Sequence, residues 1–120
     1  SHHENKEENL SQYQHIAEWH VKQYAYLLNQ LQNMPEGESN VLDQSMIMFG
    51  SGLRDGNSHS PRNLPLVIAG SAGGSIKTGQ HLMNDRNTPL SNLYCSMLNA
   101  FGTPVDKFAD STELLPGVLA

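Results

Sequence analysis

Apolar positions along the chain fall into separate groups divided by polar and glycine-rich stretches. In residues 8–33, Tyr13, Ile16, Ala17, Tyr24, Leu27, Leu28 and Leu31 recur at three- and four-residue steps. No proline or glycine interrupts them, so the spacing predicts one long amphipathic helix. Trp19 and Val21 widen the apolar surface, whereas Glu7, Glu8 and Glu18 suit the exposed side and the early helix dipole. His20 falls on the apolar stripe and is predicted to be a packed, hydrogen-bonded core histidine, with His15 facing solvent. Pro35 and Gly37 stop the helix, and "NVLDQ" reads as a short helical turn.

The next groups have a different pattern. "SMIMFG" and "LPLVIAG" are continuous apolar runs, too short for helices and bounded by turn residues. Such runs predict strands buried on both faces, as in the parallel sheets of α/β proteins. "SAGGSIKTGQH" is a glycine-rich turn region. A last helix is expected with Thr88 as its cap, Pro89 at its first position, Gly102 after its end and Pro104 beyond. Leu90, Leu93, Tyr94, Met97, Leu98 and Phe101 form its stripe. The tail that follows reads as irregular. The fold class is α/β: a long N-terminal helix, two buried strands and a C-terminal amphipathic helix in a single segment, 1–120. Buried strands want neighbours on both sides. Two alone predict that a missing N-terminal portion or another chain completes the sheet.

Composition narrows the partners. The formal charge is −5, and the seven lysines and arginines are scattered, which argues against a nucleic-acid partner. The apolar fraction of 38% and mean hydropathy of −0.47 leave no run long enough to span a bilayer. No basic stretch followed by an apolar one marks a signal peptide within these residues. The chain opens without methionine, as a processed or excised piece would. One cysteine, Cys95, excludes an internal disulfide and reads as a buried thiol on the last helix.

Chemistry concentrates in "GSGLRDGNSH", residues 50–59. Asp55 and His59 lie in a loop leaving the first strand, where open α/β sheets place ligand sites. A carboxylate and an imidazole suit zinc, manganese or iron with partners from elsewhere. The same residues also read as a tight turn, with Asp55 and Asn57 satisfying local backbone groups. Ser51, His59 and Asp55 offer raw material for Ser-His-Asp catalysis, but the G-x-S-x-G elbow is missing. "GSAGGSIKTG" fails as a phosphate loop, because Ser75 and Ile76 separate Gly74 from Lys77. Ser1-His2-His3 reads either as native sequence or as the remnant of an affinity tag.

Taken together, "SHHEN", "YQHIAEWHVKQYAYLLNQL", "LDQSMIMFGSGLRDGNSH", "LPLVIAGSAGGSIKTGQH", "TPLSNLYCSMLNAFG" and "FADST" resemble the C-terminal part of the bacterial domain-of-unknown-function family 1552. That resemblance favours the native reading of "SHH" over the tag remnant. It implies an exported, periplasmic or cell-surface protein, similar to the alkaline-phosphatase and sulfatase superfamily, and hence a piece of a metal-dependent α/β sandwich. By the same analogy His2, His3, Asp55 and His59 would be metal ligands and Asn57 an orienting catalytic donor. The implied reaction is hydrolysis of a small phosphate or sulfate ester on a zinc, manganese or iron ion. Gly52 and Leu53 stand where the superfamily places an Asp-His ligand pair. The competing reading is therefore a degenerate relative, retained as a noncatalytic binding or assembly module.

Overall fold

The computed structural model describes residues 3–120, so the expectation placed on His2 lies outside the described residues. Helix α1 runs Glu7–Gln32, within a residue of the expected span. Its acidic first turn, Glu7 and Glu8, complements the helix dipole. A small hairpin follows, β1 (Pro35–Glu36) paired with β2 (Ser39–Asn40). Gly37 supplies the positive φ, +58°, that its two-residue loop requires. The turn at 41–44 matches the expected short helical turn and leads into β3 (Ile47–Gly50). β4 (Leu66–Ala69) returns alongside, and α2 (Leu90–Ala100) precedes the tail.

β3 and β4 are antiparallel, in the register Ile47–Ala69, Met48–Ile68, Phe49–Val67 and Gly50–Leu66. Neither strand is buried on both faces, contrary to the sequence expectation. Met48 and Gly50 are exposed, and Val67 is 54% exposed. The physical reason is the width of the sheet. With two strands and, among the described residues, no third, neither strand is enclosed, and helices cover the ribbon only in part.

Cross-strand partners share a face, which orders the layers. Phe49 and Val67 lie on the α1 side, where the ring of Tyr24 stacks on Phe49 at 5.0 Å. The Tyr24 hydroxyl donates to the Ile47 carbonyl at 2.7 Å. Burial pushes this phenol above its usual 10.0, offset in part by the Ala69 backbone, so it stays a donor at neutral pH. On the opposite face Leu66 and Ile68 pack against the core cluster of Ile76, Leu93, Leu115 and Val118. The order helix, ribbon, helix makes the chain a mixed α/β structure.

α1 is docked near its C-terminal end but buries none of its residues. His20 is therefore not a core histidine: it is exposed, with Nδ1 on the Ile16 carbonyl at 2.9 Å and its ring against Trp19. Trp19 itself is 57% exposed. His15 is exposed as expected. A radius of gyration of 16.5 Å, against roughly 14 Å for a compact domain of this length, reflects the same overhang.

The expected cap of α2 is also corrected. Pro89, in extended conformation, occupies the N-cap position, and Thr88 makes no capping bond. The C-terminal end behaves as the sequence implies. Gly102, at φ +85°, donates to Asn99, and Thr103 donates to Leu98, which closes a Schellman motif. The face that α2 buries is not simply its apolar stripe. Phe101 is 73% exposed, whereas Ser91, Asn92, Cys95 and Ser96 are buried with Leu93.

The tail explains this choice. Asn92 Oδ1 accepts the Thr112 N–H at 2.9 Å, and its Nδ2 donates to the Thr112 hydroxyl at 3.2 Å. Ser91 donates to Asp110 at 2.6 Å, Cys95 Sγ to the Ser111 hydroxyl at 3.3 Å, and the Leu115 N–H reaches Ser96 at 2.8 Å. An irregular tail has backbone groups to satisfy, and polar side chains on the helix satisfy them where a second apolar face could not. This seam delivers Leu115 and Val118 to the core, where each fully buried aliphatic side chain contributes ~1.5–3 kcal/mol.

Two substitutions test these constraints. Asn92→Ala removes both bonds that the buried amide makes to Thr112 and should lower the unfolding free energy by about 1–2 kcal/mol in urea titration. At Gly70, φ is +87° and a Cβ would meet the Ser45 and Leu42 carbonyl oxygens. Gly70→Ala should therefore cost more than about 2 kcal/mol, while Gly52→Ala, with open space around it, stays within about 0.5 kcal/mol.

Candidate functional site

The residue that organises the loop after β3 is Asp55. Its Oδ1 accepts the Asn57 N–H at 3.0 Å, the Ser58 N–H at 2.7 Å and the Ser58 hydroxyl at 2.8 Å. These are the local bonds that short polar side chains offer a turning backbone. Arg54 N–H to the Ser60 carbonyl, 2.8 Å, and Ser60 N–H to the Asp55 carbonyl, 3.3 Å, close the turn at its base. Both readings of "DGNS" therefore begin from the same fact: Asp55 builds the turn with one oxygen and keeps the other for a second partner.

That partner comes from the start of the chain. His3 Nε2 stands 3.7 Å from Asp55 Oδ2, with the imidazole side chain only 11% exposed and the carboxylate 38%. Beside it, Asn57 Oδ1 accepts the Glu4 N–H at 3.1 Å. His3, Asp55 and Asn57 are thus brought together from opposite ends of α1 and the ribbon. Ser58 and the backbone of Glu4 and Asn5 complete the cluster. Sequence reasoning missed Ser58, although a Ser three residues after a turn Asp is a recognisable signal for such bonds.

His59 stands in the same turn, exposed, with φ +51°. Among the described residues, no three His, Cys, Asp or Glu side chains form a group that could hold a metal ion, so His59 does not join the His3–Asp55 pair in one. The hydrogen bonding of His3 bears on the same point. Its Nδ1 accepts the Asn5 N–H at 3.1 Å, so Nε2 is the nitrogen that faces Asp55. A metal held between the two would take the Nε2 lone pair. What the cluster does is tie the segment entering α1 to the loop leaving β3.

Other candidates resolve into local structure. The Ser51 hydroxyl accepts the Leu53 N–H at 3.3 Å, within its own turn. In the glycine-rich turn, the N–H groups of Ala72, Gly73, Gly74, Ser75 and Ile76 all bond to carbonyls of the chain. No donor of that run is left for a phosphate, in line with the failed motif.

The described residues include no helix long and apolar enough to cross a membrane. No family model, curated protein or solved structure matches the chain.

Hydrogen bonds to Ser58 chiefly, with desolvation opposing, and then to Asn57 and the charge of His3, hold the Asp55 carboxyl below its usual 3.8. A depressed folded-state value means that the turn gains stability above the ordinary carboxylate range and loses it as pH falls through the folded value. Amide exchange at Asn57 and Ser58 should therefore stay slow at pH 5–7 and speed up below about pH 4, relative to the intrinsic rate. Asp55→Asn should show fast exchange there across the same range.

Proposed function

We propose that this chain is a noncatalytic assembly module: one portion of an α/β sandwich, of the alkaline-phosphatase type, completed by another segment or chain. The observation that carries this reading is α1, 26 residues long with an apolar stripe and no buried residue. An amphipathic helix of this length is maintained when its stripe is covered. Tyr13, Ile16, Trp19 and Val21 all stand exposed along it. The ribbon supports the same reading, since two strands are too few for the helices on its faces. His3, Asp55 and Asn57 act here as a clamp that fixes the entry to α1. The family resemblance adds an exported, periplasmic or cell-surface setting.

One observation favours a second reading, metal-dependent hydrolysis of a phosphate or sulfate ester. Three of the residues that the resemblance implicates, His3, Asp55 and Asn57, converge from distant parts of the sequence. The missing ligands and nucleophile would then come from the completing portion.

One experiment separates the two. The chain is incubated with zinc, manganese or ferrous iron, dialysed, and assayed for bound metal and for hydrolysis of nitrophenyl phosphate and nitrophenyl sulfate. The module reading expects substoichiometric metal, no turnover, and no change in unfolding midpoint with chelator. Stoichiometric metal that is lost in the His3→Ala, Asp55→Ala double variant, together with turnover, would replace it with the hydrolase.

A further inference from the structure

We propose that α1 and the segment before it form a hinged strap, pivoted at its root, Leu31–Met34, and latched on the turn at 55–57. Its release bares the Phe49 side of the ribbon without loosening the core. The inference rests on the clamp of the module reading and adds that the clamp opens. Among the described residues, the hydrogen bonds and ring contacts of 7–23 stay within α1 or run to the segment before it. All of these residues except Asn9 are exposed. The core cluster and the side chains packed against it come from Met46 onward, so none belongs to α1.

The segment before the helix belongs to the strap. The His3 carbonyl accepts the Lys6 N–H at 2.9 Å and the Asn9 amide at 3.2 Å, and His3 Nδ1 accepts the Asn5 N–H. Two polar contacts latch this end to the body: the Glu4 N–H on Asn57 Oδ1, 3.1 Å, and His3 Nε2, 3.7 Å from Asp55 Oδ2. Contacts of this kind at a partly exposed site are individually weak. Midway, Tyr24 adds one hydroxyl bond and one ring stack. The other end is rooted. The Leu31 and Met34 carbonyls accept the Leu42 and Val41 N–H groups at 3.3 and 2.9 Å. Asp43, next in line, is itself tied to the glycine-rich turn by the Gly73 N–H at 2.8 Å.

Lifting takes away little that keeps the strap helical. Residues 7–23 already stand in water, so their backbone bonds, the Gln14–Glu18 pair at 2.9 Å and the acidic first turn are unchanged by release. Only Tyr24, Leu28 and Leu31 are half-buried on the remaining length of α1. At 1.5 Å per residue the helix is about 39 Å long, so turning it by about 15° at the root carries its first turn about 10 Å. Hinges of this sort take up their rotation at the ends of elements. The Asn92 seam and the aliphatic cluster share no residue with the strap and stay in place. What release uncovers is Phe49, which the Tyr24 ring covers when the latch is shut.

Spin labels on Gln12→Cys and Glu113→Cys of the whole chain, with Cys95 buried and unlabelled, report the strap against the tail. Pulsed dipolar spectroscopy should give two separations: a major one for the latched strap and a longer, minor one for the lifted strap. Asn57→Ala removes the Glu4 bond but keeps the Asp55 turn, which uses the Asn57 backbone. It should raise the ratio of lifted to latched strap about two- to tenfold, with the helical circular dichroism unchanged. Tyr24→Phe keeps the ring stack and drops only the hydroxyl bond; it should shift the ratio the same way, even if Asn57→Ala fails to fold. A single separation that neither variant changes overturns the strap. So does a longer separation that appears only with loss of helical signal, which is melting of α1. A fixed α1 in a chain that turns over no ester removes the hinge and leaves the module reading in place. Metal-dependent turnover removes the module reading, whatever the separations show.

Discussion

The side-chain amide of Asn92 bridges α2 to a tail that has no regular structure of its own, and the core of this chain exists because it does. Two of the four buried residues of the core cluster, Leu115 and Val118, come from the tail. Hydrophobic attraction alone does not fix the path of an irregular strand, because its peptide groups must be satisfied wherever they are taken from water. Asn92, Ser91 and Ser96 provide fixed partners at successive points, so the tail has one course across the helix. Ile76 and the bridge from Ile76 to Leu119 then close the cluster from the glycine-rich turn.

The opposite layer is held in a contrasting way. α1 meets the ribbon through Tyr24 and Phe49, and the clamp of His3 and Asn57 fixes the segment that enters it. Between these points the helix carries its apolar stripe without cover. One half of the molecule is thus internally satisfied, and the other leaves its apolar stripe exposed.

The elements were legible where their determinants are local. Helical spacing marked α1 and α2, and Gly102 marked the end of α2, because each depends on neighbours in sequence. The strands were located correctly, but their burial was misread: "SMIMFG" describes the environment a strand is suited to, and this chain supplies only part of it. His20 failed for the same reason, since a place on a stripe means burial only if something lies against the stripe. Thr88 was misplaced by one residue through the competition of Pro89 for the same cap. The buried polar face of α2 was invisible to an apolar count, because its value depends on where a tail of low periodicity runs. At the candidate site, Asp55 and Asn57 could be read as a turn from their own neighbourhood. Their meeting with His3 depends on the length of α1 and the position of the ribbon, which no local pattern encodes.

Trp19, the single tryptophan, lies on the uncovered part of α1, remote from the Asn92 seam and the aliphatic cluster. Its indole is therefore a natural reporter of what comes to rest on that helix, and a poor witness to whether the core has formed. Emission that stays red while the circular dichroism signal is native would mark a folded chain still lacking its cover. A blue shift would record the arrival of a neighbour, with no change inside the domain.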